Sequence, residues 1–145
     1  MELKDELKTV RDYLALESIR FEERLTVKFD IDPMAESYQV PPLMIQTLVE
    51  NGIKHGISKL TQGGFIAISV RLGDKEQLII EIRNSGQLPD QPQKGTTGYG
   101  LENTLRRLDL LFGSRSSFFI GNEDNKTVVT RITLPQSVIY ESVDH

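Results

Sequence analysis

The spacing of apolar residues divides the chain into helical and extended segments. Near the start, apolar residues recur every three or four positions, which predicts an amphipathic helix over about residues 3–24. The repeat consists of Leu3, Leu7, Val10, Leu14 and Phe21, with Glu17 in the same seam. Because a glutamate weakens a coiled-coil interpretation, a helix that packs on its own domain and a helix that dimerises explain the repeat equally well.

Alternating apolar and polar residues predict strands farther along the chain. Residues 25–31 alternate and predict a strand with one buried face. Residues 65–72 and 78–83 flank the turn sequence G-D-K-E-Q and predict a hairpin. Two final strands are predicted from S-S-F-F-I-G and T-V-V-T-R-I-T-L-P, which flank the polar turn N-E-D-N-K.

Proline and glycine mark the ends of two further helices. Pro41 and Pro42 suit a first helical turn, and the pattern is helical over residues 43–55, with Gly56 as the stop. A second helix carries leucines at helical spacing from Leu101 and ends at Gly113. Residues 84–97 lack periodicity and predict a long loop, and such loops are usually functional.

This order of elements predicts a two-layer α+β sandwich. Strands joined by short turns pair mostly antiparallel, so we expect a mixed, mostly antiparallel sheet of five strands. Two internal helices suffice to cover one face of such a sheet.

Composition narrows the class of protein. The 145 residues suit a single domain, and 38% apolar and 26% charged residues are typical of a folded protein. A net charge of −4 with scattered basic residues argues against nucleic-acid binding. The chain has no cysteine, which excludes thiolate metal sites and disulfides. No apolar run approaches the ~18 residues of a membrane span, and Met1 precedes a polar stretch, so we expect a soluble chain.

The helix over residues 43–55 is the first of three candidate ligand segments. Its polar arc consists of Thr47, Glu50, Asn51 and Lys54. By itself, a solvated helix face explains such an arc. Glycine inside a helix costs about 1 kcal/mol relative to alanine, so Gly52 in the apolar arc predicts a close approach of this helix to the sheet.

The other two segments are G-T-T-G-Y-G-L at residues 95–101 and N-S-G at residues 84–86. The first is a glycine loop that leads into a helix, where free amides and the helix dipole favour phosphate, although a flexible hinge has the same composition. It matches neither a P-loop nor a dinucleotide fingerprint. The second can present a polar side chain to a flat ligand, but strands commonly end this way.

In their order and spacing, these segments resemble the motifs of one ATP-binding fold. V-P-P-L-M-I-Q-T-L-V-E-N-G-I-K-H-G resembles the N box of LytS-like sensor histidine kinases along its whole length. I-R-N-S-G resembles the first glycine box, T-G-Y-G-L-E-N-T-L-R-R-L the second, and Y-L-A-L-E-S-I-R-F-E-E-R-L the connector after the family's histidine-bearing helix. The resemblance covers most of residues 13–135 and implies the Bergerat-type fold that topoisomerases, mismatch-repair ATPases and heat-shock chaperones share.

The resemblance implies ATP and Mg²⁺ as cofactors and assigns roles to ten residues. Asn51 would ligate Mg²⁺ through its amide oxygen, and Glu50 would polarise or deprotonate the incoming histidine. The nucleotide would be contacted by Asn51, Lys54, His55, Asn84, Gly86, Gly98, Gly100, Leu101 and Thr127. His55 would line the pocket and would not itself be phosphorylated.

Two positions depart from the family's pattern. Asn84 replaces the usual aspartate that accepts a hydrogen bond from the adenine amino group, and Leu88 replaces the second glycine of that box. An asparagine oxygen accepts the same bond without charge assistance, so a lower affinity is expected.

The family's phosphoacceptor motif is absent from the sequence. His55 and His145 are the only histidines, and neither has the family's preceding proline and following phenylalanine. We therefore expect the chain to bind nucleotide without autophosphorylating, the acceptor being a histidine helix elsewhere in the same full-length protein. The resemblance further implies a homodimeric full-length protein, a downstream response regulator, and a cytoplasmic domain of an inner-membrane receptor kinase.

The resulting division of the chain has three parts. Residues 1–24 are predicted to be a connector helix, residues 25–135 the ATP-binding catalytic domain, and residues 136–145 a tail. A catalytically inactive nucleotide-binding or scaffolding module of the same fold is the alternative function. A chaperone or DNA-repair ATPase would need a transducer domain, for which 145 residues leave no room.

Overall fold

The structure, a computed structural model, describes residues 1–22, 24–57, 63–87 and 101–135. Its helices are α1 (Leu3–Arg20), α2 (Met44–His55) and α3 (Leu101–Phe112). Its strands are β1 (Leu25–Ile31), β2 (Gly64–Leu72), β3 (Leu78–Ser85), β4 (Ser117–Asn122) and β5 (Thr127–Leu134). Short 3₁₀ turns lie at Pro33–Ala35, Asp74–Glu76 and Gly113–Arg115.

The five strands form one mixed sheet in the order β1-β2-β3-β5-β4. The β1–β2 pair is parallel, and the other three pairs are antiparallel. Parallel neighbours need a crossover connection, and α2 lies in the segment that joins β1 to β2. The predicted α+β sandwich with a mostly antiparallel sheet is confirmed.

One face of the sheet carries the hydrophobic core. Side chains of β2, β3 and β5 alternate, and the inward set packs with residues of all three helices in one cluster. The opposite face mixes charged and apolar side chains, and there Arg131 and Arg83 pair with Glu81. The helices therefore cover a single face, as predicted.

Helix α1 packs on its own domain. Leu3, Leu7, Val10 and Leu14 are buried in the core, and the Leu3 amide donates to the Tyr38 carbonyl at 2.7 Å. The prediction of a helix to residue 24 was wrong, because the backbone turns at Glu22, which has a φ of 54°. The docking interpretation of α1 is confirmed, while dimerisation stays a prediction.

Boundaries of other elements also differ from the prediction, by one or two residues. Helix α2 begins at Met44, one residue late, because Leu43 has a left-handed φ of 66°. Asn84 and Ser85, predicted to begin a loop, belong to β3, because Asn84 pairs with both β2 and β5 and Ser85 pairs with Thr127 of β5. The rest of that loop and residues 136–145 lie almost wholly outside the described residues. None of the described helices is long and apolar enough to cross a bilayer.

Candidate functional site

A cleft lies between α2, the carboxyl end of β3, the start of α3, and strands β4 and β5. It encloses about 420 Å³ of empty space, part of it open to solvent. Its lining consists of Leu48, Asn51, Gly52, His55, Gly56, Asn84, Gln87, Leu101, Ile120, Val128 and Thr130. Mostly apolar walls with a few convergent polar groups are typical of a small-molecule site.

Helix α2 supplies one wall of this cleft. The five α2 and C-cap residues in the lining are spaced at i, i+3, i+4, i+7 and i+8, which places them on one helix face. Two of them are glycines, and they leave room for the end of β3. A Cβ atom on Gly52 would lie 2.9 Å from Oδ1 of Asn84, and one on Gly56 would lie 2.6 Å from its Nδ2. The close helix–sheet approach predicted from Gly52 is confirmed.

Asn84 is the buried polar group at the centre of this contact. Its residue exposure is 4%, and its Nδ2 donates to the Ser85 carbonyl at 3.0 Å. That bond fixes which end of the amide is the donor, so Oδ1 remains the acceptor on the side of Gly52. Gly86, with a φ of 145°, brings the following backbone against Gly56, where an added Cβ would lie 3.0 Å from the Gly56 Cα.

The N-box residues Glu50 and Asn51 face different surroundings. Asn51 is half-buried and lines the cleft, whereas Glu50 is exposed, and its Oε2 accepts a hydrogen bond from Gln46 Nε2 at 3.2 Å. Consecutive helical residues differ by about 100° in direction. The two side chains are thus adjacent in sequence, one toward the cleft and one toward solvent.

A tyrosine of α1 lies within the electrostatic reach of Glu50. Burial, followed by the negative charges of Glu17 and Glu50, raises the pKa of Tyr13 to about 12. The Tyr13 hydroxyl therefore keeps its proton near neutral pH.

The remaining predicted site residues differ in where they lie relative to the cleft. His55 and Leu101 line the cleft, and Lys54 is exposed one turn beyond Glu50. Thr127 is buried at the start of β5 opposite Ser85, whereas β5 lines the cleft with Val128 and Thr130. Gly98 and Gly100 lie outside the described residues.

Several lining residues were missed by the sequence analysis. Gly56 was interpreted only as a helix stop, although its spacing of four from Gly52 is a signal for a second close approach. Ile120 and Thr130 have no local signal, because their place in the cleft depends on the order of the strands.

The cleft's donor set fits a magnesium–nucleotide complex. Mg²⁺ usually takes one or two protein oxygens and completes its shell with substrate phosphates and water. The Asn51 amide offers such an oxygen on the cleft wall. Within the described ranges, no three His, Cys, Asp or Glu side chains converge as a metal site.

Comparison with solved structures shows which fold the chain has. The catalytic domain of histidine kinase ThkA matches with a TM-score of 0.69 at 17% identity, over 94% of this chain and 93% of that domain. The fold is therefore that of a histidine kinase catalytic domain.

Sequence relatives narrow the class to one family. Sensor protein LytS of Enterococcus faecalis is 35% identical over 132 residues, covering 83% of this chain and 22% of that protein. Sensor histidine kinase BtsS of Escherichia coli is 36% identical over 132 residues, covering 91% of this chain and 23% of that protein. No protein-family profile matches. The chain belongs to the LytS-like sensor histidine kinases and corresponds to their catalytic domain, and it spans less than a quarter of the length of these relatives.

Proposed function

We propose that this domain binds ATP with Mg²⁺ in the cleft and transfers the γ-phosphoryl group to a histidine side chain that another segment of the full-length protein supplies. The observation that carries the proposal is the buried Asn84 amide, packed against Gly52 and Gly56 with Oδ1 as its acceptor. Such an oxygen can accept a hydrogen bond from the exocyclic amino group of adenine. The apolar walls formed by Leu48, Val128 and Ile120 suit a planar base.

The different surroundings of Asn51 and Glu50 support a role in phosphoryl transfer in addition to nucleotide binding. Asn51 on the cleft wall would hold the metal, which would offset the negative charge of the phosphates, while Glu50 remains accessible to an acceptor arriving from solvent. One imidazole nitrogen of the acceptor would form a bond to the γ-phosphorus. The bond to the bridging oxygen would break, and ADP would leave with that electron pair. The Glu50 carboxylate would take the proton from the other imidazole nitrogen.

Nucleotide binding is tested first, by calorimetry with Mg-ADP on the 145-residue chain. Wild type should bind, and Asn51→Ala should bind ADP with an affinity that no longer depends on Mg²⁺, because the protein's metal oxygen is gone. Gln77→Ala is the control, since it removes a half-buried side-chain amide just before β3, away from the cleft. No heat from wild type up to millimolar Mg-ADP would contradict the proposal, and unchanged Mg²⁺ dependence in Asn51→Ala would remove Asn51 as the ligand.

Transfer is tested with the domain joined covalently to the histidine-bearing segment of a LytS-like kinase, because tethering supplies a high effective concentration. Labelled ATP should give an acid-labile, base-stable phosphohistidine. Glu50→Gln should bind nucleotide nearly normally and transfer about 10²- to 10⁴-fold more slowly, the usual contribution of a positioned base.

A catalytically inactive nucleotide-binding module is the second candidate. The observation in its favour is Asn84, where the family's pattern has a carboxylate that binds with charge assistance. Tight Mg-ATP binding by the joined wild-type protein without phosphohistidine would favour this alternative.

Family membership supports the remaining parts of the proposal. A sensor histidine kinase has a phosphoacceptor domain and a response regulator. We place the domain in the cytoplasm, where ATP is available, in a homodimeric receptor kinase of the inner membrane.

A further inference from the structure

The first turn of α2 is fixed to α1 by a buried carboxylate. Glu6 is fully buried, its Oε1 accepts the Leu43 amide at 2.9 Å, and its Oε2 accepts the Gln46 amide at 3.1 Å. These amides are among those that a helix leaves without an internal partner, and a negative charge is favourable there. The backbone of Gln46 is consequently held in place from outside its own helix.

The side chain of Gln46 extends this support to Glu50. Its Nε2 donates to Glu50 Oε2 at 3.2 Å, across one turn of the helix. Gln46 is half-buried, whereas Glu50 is exposed. An exposed glutamate without such a contact distributes among several rotamers. The bond from a residue with a fixed backbone narrows the directions in which the Glu50 carboxylate points.

The Oε1 atom of the Gln46 side chain makes an unfavourable contribution to stability. Its Oε1 is buried and accepts no hydrogen bond from any residue that the structure describes. A buried carbonyl without a donor is destabilising, and a side chain of similar shape without polar atoms avoids that cost. Stability alone therefore favours methionine over glutamine at this position. A buried polar group that lacks a hydrogen-bond partner is the kind of exception that is expected at a functional site.

We infer that Gln46 is a positioning residue that orients the Glu50 carboxylate for proton transfer during phosphorylation. The inference rests on the proposed function, in which Glu50 is the base. Gln46 acts through Glu50 and is not expected to contact nucleotide, since it is absent from the cleft lining among the described residues.

The test is Gln46→Met in the domain joined to a histidine-bearing segment. Phosphohistidine formation at saturating Mg-ATP should fall about threefold to tenfold, while the KM for ATP and the affinity for Mg-ADP stay unchanged, because only the orientation of the base is altered. The urea midpoint of unfolding should stay equal or rise, because the buried carbonyl is removed. Ser69→Ala is the control, a change of a half-buried polar side chain on β2 away from the cleft, and it should leave the transfer rate unchanged.

A double-mutant cycle separates orientation of Glu50 from other effects. In the Glu50→Gln background, Gln46→Met should slow transfer no further. Normal transfer by Gln46→Met, or a loss of rate that persists in the Glu50→Gln background, would overturn the inference and leave the proposed function standing. A loss of rate accompanied by a lower urea midpoint would overturn it also, because Gln46 would then be structural. If the wild-type joined protein forms no phosphohistidine, both the inference and the proposed function fail.

Discussion

Replacing Gly52 with alanine tests the contact at the centre of the cleft. Alanine is normally the better residue inside a helix, by about 1 kcal/mol. Here the new Cβ would lie 2.9 Å from Asn84 Oδ1 and 3.2 Å from its Cγ. The amide cannot simply move back, because Nδ2 is bonded to the Ser85 carbonyl and packs against Gly56.

The expected change in the free energy of unfolding follows from these two opposing effects. Overpacking of a close contact costs about 1–3 kcal/mol. Subtracting about 1 kcal/mol for helix propensity leaves Gly52→Ala between neutral and about 2 kcal/mol less stable than wild type. With Asn84→Ala already in place the clash is gone, so the same substitution should stabilise by up to about 1 kcal/mol.

Urea unfolding followed by circular dichroism measures the stability of wild type, Gly52→Ala, Asn84→Ala and the double variant. Gly113→Ala is the matched control, because open space surrounds that glycine and its φ of 56° alone makes the substitution unfavourable. Its cost should therefore be the same with and without Asn84→Ala. Mg-ADP affinity should also fall about tenfold in Gly52→Ala, equivalent to about 1.4 kcal/mol, since the methyl group disturbs the acceptor. If Gly52→Ala stabilises wild type by about 1 kcal/mol, the helix does not contact Asn84 as described.

Two further substitutions test the supports around the site. Glu6→Gln should lower the free energy of unfolding by about 1–3 kcal/mol, because a neutral side-chain amide cannot accept hydrogen bonds from both backbone amides in the first turn of α2. Asp5→Asn is the exposed control. Equal urea midpoints for the two variants would refute the capping role of Glu6. Burial by itself would raise the pKa of Glu81, but hydrogen bonds from Arg131 and Arg83 outweigh it and hold the pKa below its ordinary value. The stability that this carboxylate contributes is present above the unfolded-state pKa and is lost as pH falls through the lower folded-state pKa. Wild type should therefore lose more stability than Glu81→Gln between about pH 5 and about pH 3. If the urea midpoints of wild type and Glu81→Gln changed in parallel with pH, Glu81 would not contribute this pH-dependent stability.

The sequence by itself determined the elements and the family. Helical and alternating periodicities predicted the three helices and five strands that the structure describes, with errors at their ends, where single residues such as Glu22 and Leu43 adopt left-handed backbone conformations. Periodicity reports which face of an element is buried, and that is a local property. The continuous N-box stretch was specific enough to indicate the LytS-like kinases before any fold was known.

Only the tertiary structure decided what covers each buried face. Glu6 lies one residue before a seam position and looks like an ordinary charged residue of α1, yet it caps a helix that begins about 40 residues later. Ile120 and Thr130 reach the cleft only because β5 pairs with β3 and β4 with β5, an order that no local pattern encodes. Contacts between distant segments depend on the closure of long loops and on the packing of the whole chain, so they are settled by the fold and not by the sequence around each residue.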